Sequence, residues 1–187
     1  MSAVALSTPR LLLRVPEAGD FDEWARFCAD EATMRYLGGA QDRSTAWRTI
    51  CAMAGAWTIR GFSMFSVIER ASGRWIGRVG PWQPEGWPGR EVAWGLLPEF
   101  AGRGFAQEAA IAAIDYAVDV LGWFDVMHTI HPDNVASIAL ARRLGSTLRG
   151  PTQLPGPLSG MRVDDWGQSA AAWRARRQVA ADQRGPN

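Results

Sequence analysis

Between residues 62 and 97 three stretches of strand-like composition follow one another, and the third runs directly into a glycine-bracketed arginine and a long alanine-rich helix. Residues 62–69 and 74–82 flank the turn Ala71-Ser72-Gly73 and read as a hairpin, and residues 90–97 add a third consecutive strand beyond a Pro/Gly-rich loop. Helical spacing then takes over in residues 106–121, where Ile111, Ile114, Val118 and Leu121 share one stripe and Asp115 and Asp119 lie off it. Antiparallel neighbours followed by a covering helix define a mixed sheet, so the fold class is α+β.

The remaining segments fit that frame. Residues 10–15 read as a first strand, and Pro16 and Asp20 introduce a helix with Phe21, Trp24 and Cys28 on one face. From Ser44 onward, Trp47, Ile50, Ala54 and Trp57 recur at helical spacing and are expected to anchor a second helix in the core. A strand over 124–130, a helix over 134–144, weaker strands over 146–149 and 161–166 and a short helix over 170–177 complete the chain. The expectation is a single domain over 5–177 with a frayed tail over 178–187.

Composition narrows the chemistry. All 20 basic residues are arginine, so neither the lysine of a P-loop nor a Schiff-base lysine is available. A net charge of +1 without a basic run gives no footprint for nucleic acid or an anionic membrane, and no apolar run reaches spanning length. Cys28 and Cys51 have neither metal-site nor disulfide-framework spacing, and the first residues lack an apolar signal segment, which points to a cytoplasmic protein with reduced thiols. His128 and His131, three apart in a strand, point to opposite faces without a third ligand, so no metal is expected.

The junction of strand, Gly102-Arg103-Gly104 and helix has the makings of an anion site: unpaired amides at a helix start, the helix dipole, and a backbone that another molecule can approach. A dinucleotide fingerprint is excluded, because position 107 is Gln107 and the loop does not follow the first strand of a parallel unit. A pyrophosphate site and a tight turn with no ligand both remain open on the glycines alone.

The segment "AWGLLPEFAGRGFAQEA" resembles the acetyl-CoA binding segment of the GNAT superfamily of N-acetyltransferases, and more narrowly its RimJ/RimL-like branch. The likeness extends through "EATMRYLGG", "HPDNVASIALARRLG" and, more weakly, "MRVDDWGQSAAAWR", covering residues 8 to 173. It implies a central, mostly antiparallel twisted sheet whose fourth and fifth strands, here 90–97 and 124–130, splay apart to hold pantetheine. It also implies acetyl-CoA as co-substrate, contacted by Leu96 and Leu97 and cradled at its pyrophosphate by Gly102, Arg103, Gly104, Phe105 and Ala106. Ala101 stands where the superfamily has an arginine or glutamine, which removes a side chain but no amide.

Either Asp133 or Asn134 is placed to cap the following helix. The resemblance further implies that Asn134 bonds the pantetheine arm and that Ser137 lies near the CoA sulfur. Ala141 replaces the tyrosine proton donor of many members, which leaves Ser137 to meet the departing thiolate, and Ser146 replaces a phenylalanine of the pocket wall. Glu91 matches an acidic position that serves as base in this branch; read from residues alone, it is equally a solvated strand carboxylate paired with Arg90 or Arg78. His131 is a second candidate base. An acceptor with an α-amino group, pKa about 8, is easier to deprotonate than a lysine near about 10.4.

Two functional classes follow: an N-acetyltransferase passing acetyl directly to a primary amine in a ternary complex, and an acyl-CoA binding protein without turnover, with a bulkier acyl donor also open. The acceptor is expected to meet residues 34–39 facing the loop 149–160, with Arg35 and Tyr36 as its contacts, as a compact amine or small N-terminal residue and not a polyamine or aminoglycoside. The chain is expected to act as monomer or homodimer.

Overall fold

A computed structural model describes residues 4–183. Eight strands form one sheet: β1 (Ala5–Ser7), β2 (Leu11–Arg14), β3 (Phe65–Glu69), β4 (Trp75–Trp82), β5 (Glu91–Leu96), β6 (Asp125–Ile130), β7 (Thr147–Thr152) and β8 (Val163–Ser169). Their order is β1-β2-β3-β4-β5-β6-β8-β7, and every neighbouring pair is antiparallel except β5 with β6. The helices are α1 (Phe21–Ala29), α2 (Glu31–Met34), α3 (Arg43–Arg60), α4 (Phe105–Asp115), α5 (Val135–Leu144) and α6 (Ala170–Asp182). The α+β reading and the three consecutive antiparallel strands hold. Because the short β1 precedes the strands legible in the sequence, the splayed pair is β5 and β6 here.

Strand alternation assigns the helices to faces. On β5, Gly95 lies so close to Phe27 of α1 that a Cβ would stand 2.8 Å from its ring, so Glu91, Ala93 and Gly95 face the α1 side. Trp94 points the other way, to Ser137 of α5, and α4 packs against α5 and the same central strands. Glu91 therefore looks into the space under α1 and α3, and the helix starts α4 and α5 lie beyond the opposite face.

α3 corrects one expectation. Asp42 caps it, accepting the Thr45 amide at 2.6 Å, and Gly61 ends it in a left-handed conformation. The buried stripe, however, is Ala46, Ile50 and Met53. Trp47 is 50% exposed, edge-on to Phe21, and Trp57 is half-buried with its indole N–H on the Met64 carbonyl. Trp47 meets α1 at Phe21, whereas Trp57 packs on Phe65 and Tyr116. α6 runs to Asp182, so residues 178–182 of the expected tail are helical; 184–187 lie outside the described residues.

A polar cluster ties α1 to the sheet. Asp20, 3% exposed, accepts both Arg14 guanidinium nitrogens (2.6 and 2.8 Å), the Glu17 amide (2.9 Å) and the Ser66 hydroxyl (2.7 Å). Burial alone would push its carboxyl up, but the bonds from Arg14, Ser66 and Glu17 hold it below the ordinary value. That stabilisation is complete above the unfolded pKa of about 3.9 and is lost as pH falls through the lower folded value. Asp20→Ala is expected to lower unfolding free energy by about 3 kcal/mol at neutral pH, the low end for breaking a buried pair because Arg14 retains some solvent contact; denaturant unfolding measures it, and the loss should shrink towards pH 3.

Candidate active site

β5 and β6 pair at a single register position, Glu91 opposite Met127, with the Met127 amide on the Arg90 carbonyl. Beyond it, side chains take the backbone groups that a ladder would use. The Glu91 carboxylate accepts the Thr129 amide at 2.8 Å and the Thr129 hydroxyl at 2.9 Å through Oε1, and His128 Nδ1 meets the Val92 carbonyl at 2.7 Å. Buried backbone groups stay satisfied while the strands separate. The expected splay is thus built by Glu91 and His128, standing between the two chains.

Both wedges have shifted acidity. Burial pushes Glu91, 3% exposed, up to about 7, against the opposing bonds from Thr129 and from Trp87, whose Nε1–H donates to Oε2 at 2.6 Å. The alternative of a solvated carboxylate paired with Arg90 or Arg78 is overturned: Glu91 is buried, and among the described residues no arginine bonds it. Burial pushes His128 down to about 4, so it is neutral. A carbonyl partner requires the proton on Nδ1, and Nε2 then accepts the Ser146 hydroxyl at 3.0 Å, which accepts Gln168 Nε2 at 3.1 Å. Ser146, which stands where a wall phenylalanine was expected, anchors the His128 wedge.

Across the gap, Asn134 caps α5, its Oδ1 accepting the Ser137 amide at 3.1 Å. Its amide nitrogen keeps two free donors. Ser137 Oγ accepts Trp94 Nε1–H at 3.2 Å, which leaves the hydroxyl proton available. Glu91, Trp94, His128, Asn134 and Ser137 all line one pocket of about 700 Å³. Ala141 lies buried against Ile130 and Trp166, outside it.

The segments 34–39 and 149–160 meet at the pocket. Tyr36, Leu37 and Gly38 meet Leu154, Pro157 and Leu158 there, and a Cβ on Gly38 would stand 3.1 Å from Leu158 Cδ2, so the two segments touch as a roof. Tyr36 stacks on His131, centroids 4.9 Å apart. Arg35 is exposed and does not line the pocket; its guanidinium sits 5.5 Å from the Tyr36 ring. Turning outward at the end of α2 carries it past the rim. The arginine that lines the pocket is Arg78 of β4.

At the glycine loop, Gly102 (φ 72°) and Gly104 (φ 79°) adopt the left-handed conformation, and Gly104 is the N-cap of α4, which no side chain caps. Among the described residues the amides of Gly102, Arg103, Gly104 and Phe105 have no acceptor in the chain, and the loop is exposed. Arg10 braces it, donating to the Arg103 carbonyl at 2.9 Å and pairing with Glu108 of α4 at 2.6 Å. Arg103 pairs with Glu69 at 3.2 Å and lies over Phe105, so its charge is partly spent. Leu97 is buried with its amide on the Ile76 carbonyl, while Leu96 and Ala106 are half-buried beside the core. Among the described residues no three His, Cys, Asp or Glu side chains gather as a metal site, and no helix is long and apolar enough to cross a membrane.

The sheet is thus opened between its two parallel neighbours, with a buried carboxylate in the opening, and a separate helix start carries amides that no side chain caps. The acetyltransferase (GNAT) domain model matches residues 10–147, and the chain belongs to that family. It is an acetyltransferase. Among curated relatives, the uncharacterised N-acetyltransferase p20 of Bacillus licheniformis is 30% identical over 149 residues, 78% of this chain and 83% of that one. An acetyltransferase structure from Agrobacterium tumefaciens str. C58 superposes with a TM-score of 0.79 at 28% identity, covering 90% of this chain and 95% of that one. The ribosomal-protein-S5-alanine acetyltransferase of Vibrio fischeri shares the fold, TM-score 0.69 at 15% identity, over 91% and 98% of the two chains.

Proposed function

We propose that this protein is an N-acetyltransferase of the RimJ/RimL-like branch that moves acetyl from acetyl-CoA directly to a primary amine, both substrates being bound together. The observation that carries it is the single pocket that spans from Asn134 and Ser137 to the buried carboxylate of Glu91. The co-substrate supplies an acetyl thioester. The chain fits it: free amides from Gly102 to Phe105 suit a pyrophosphate, with Ala106 continuing the helix start and Leu96 flanking the arm, and the free Asn134 donors suit an amide carbonyl.

In the transfer a C–N bond forms as the C–S bond breaks. Glu91 takes the amine proton; three of the four lone-pair sites on its carboxylate are filled, which leaves one on Oε2 for the amine or a bridging water. A pKa about 7 suits a base working near neutrality. The Ser137 hydroxyl, with its acceptor side held by Trp94, donates to the departing thiolate. Free Cys28 and Cys51 fit a reducing, cytoplasmic setting.

Free-thiol release from acetyl-CoA, measured against panels of amines and peptides with mass spectrometry of the products, tests the reading. Release only in the presence of an acceptor, with a product heavier by one acetyl group, supports it. Binding without release from any acceptor makes the protein an acyl-CoA binding module instead.

A further inference from the structure

Arg78 is the only arginine among the residues lining the pocket, and among the described residues its guanidinium has no anionic partner. It lies 5.2 Å from the Trp24 ring centroid and 5.5 Å from that of Phe27, and its one polar contact is the Met53 sulfur at 3.4 Å. The titratable group nearest in effect is Cys28, which burial pushes up and keeps as a neutral thiol. The two acids on the pocket wall are engaged elsewhere: Asp42 caps α3, and Glu91 is held by Thr129 and Trp87. Arg78 is partly buried, and a partly desolvated charge without a counter-ion adds little to stability, its desolvation being offset by aromatic faces only in part. A side chain kept at such a disadvantage, facing an open cavity, has its partner in the ligand.

Register places that partner relative to the chemistry. Arg78 pairs with Gly95 and Trp82 with Glu91, so Arg78 and Glu91 project from the same face of adjacent strands, four residues apart. Four residues of strand span about 13 Å, and two inward-reaching side chains leave room between them for a molecule of a few bonds. The roof of residues 36–38 against Leu154, Pro157 and Leu158 covers part of the pocket and narrows the room for an acceptor that continues as a polypeptide.

We propose that the acceptor is a free amino carboxylic acid, its carboxylate seated on Arg78 and its amine turned to Glu91. The proposal rests on the acetyltransferase reading above and names its substrate class. A bidentate guanidinium–carboxylate pair fixes the acceptor's orientation as well as its charge.

The test compares amino acids with their amides, at the α position and at the side-chain position, as acceptors for the wild type, Arg78→Met and Arg78→Lys. Wild type should favour one free acid over its matched amide by roughly 10- to 150-fold in kcat/KM, the range for a hydrogen bond to a charged group. Arg78→Met should lose that preference through the acceptor KM, with acetyl-CoA KM steady, and Arg78→Lys should recover part of it. Thermal melting supplies a readout that a structural arginine would not share: Arg78→Met should melt at or above the wild type without ligand, and the preferred acid should raise Tm in the wild type only. Acetylation of amines without preference for an acid, preference retained in Arg78→Met, or selective use of peptide N-termini each overturns the proposal while leaving the enzyme reading intact. If no amine of any kind is acetylated, the enzyme reading itself falls.

Discussion

Glu91→Gln is expected to lower kcat/KM for the acceptor by about 10² to 10⁴ at pH 8, with acetyl-CoA affinity unchanged. The carboxylate form of the wild type accumulates through a pKa about 7, so its profile should carry a limb near neutrality that the variant lacks. The acceptor amine's own titration, at higher pH, should persist in both. Stability separates this role from that of a strand wedge. The folded pKa is raised, so the native state holds the proton more tightly than the unfolded chain, and stability falls as pH climbs from about 4.3 to 7, by about 4 kcal/mol in all. Glutamine carries no such charge; above pH 7 the variant should be at least as stable as the wild type, although its amide nitrogen must face either the Trp87 or the Thr129 donors. Loss of rate with stability kept identifies a base. Wild-type turnover of the variant from pH 6 to 9 transfers the role to His131 or to solvent.

The same residue shows where sequence was informative and where it was not. Strand alternation, the turn at Gly73, the cap at Asn134 and the glycine-bracketed helix start are local signals, and each appears in the fold close to where the residues suggest. What makes Glu91 chemically distinctive is assembled from afar: Thr129 lies on a strand reached through α4, and Trp87 on a loop whose direction its prolines do not specify. The His128 wedge depends on Ser146 and Gln168, from two further elements. Composition drew attention to Arg35, beside two glycines and a tyrosine, and passed over Arg78, an ordinary residue in an ordinary strand pattern. Only the absence of a counter-ion distinguishes it, and absence of a partner has no sequence signature. The expected face of α3 holds in part: Ile50 is buried and Trp57 packs on the core, while Trp47, edge-on to Phe21 of α1, stays half exposed, and the buried positions also include Ala46 and Met53.

Gly104→Val is expected to raise the Kd for acetyl-CoA about 100-fold while leaving a folded domain. Gly104 sits at φ 79° and ψ 1° as the N-cap of α4, a conformation in which a β-branched residue is strained by roughly 1–3 kcal/mol. Space is not the obstacle, since the added Cβ would meet only the flexible end of Arg10, at 3.4 Å. A domain with an ordinary reserve of about 5–15 kcal/mol tolerates that strain, so the near-UV spectrum of the buried tryptophans should persist. Binding has no such reserve. The amides from Gly102 to Phe105 have no acceptor among the described residues, their directions depend on the two left-handed glycines, and relaxing the strain at position 104 is expected to turn at least two of them away. Each hydrogen bond to a charged group contributes about 1.5–3 kcal/mol, so losing two gives a Kd change of two orders of magnitude or more. Acetyl-pantetheine, which lacks the pyrophosphate, should bind wild type and variant alike, and this contrast assigns the loss to the loop. Equal acetyl-CoA affinity of the two proteins in calorimetry would remove the pyrophosphate from these amides, leaving the glycines as part of the connection that leads from β5 into α4.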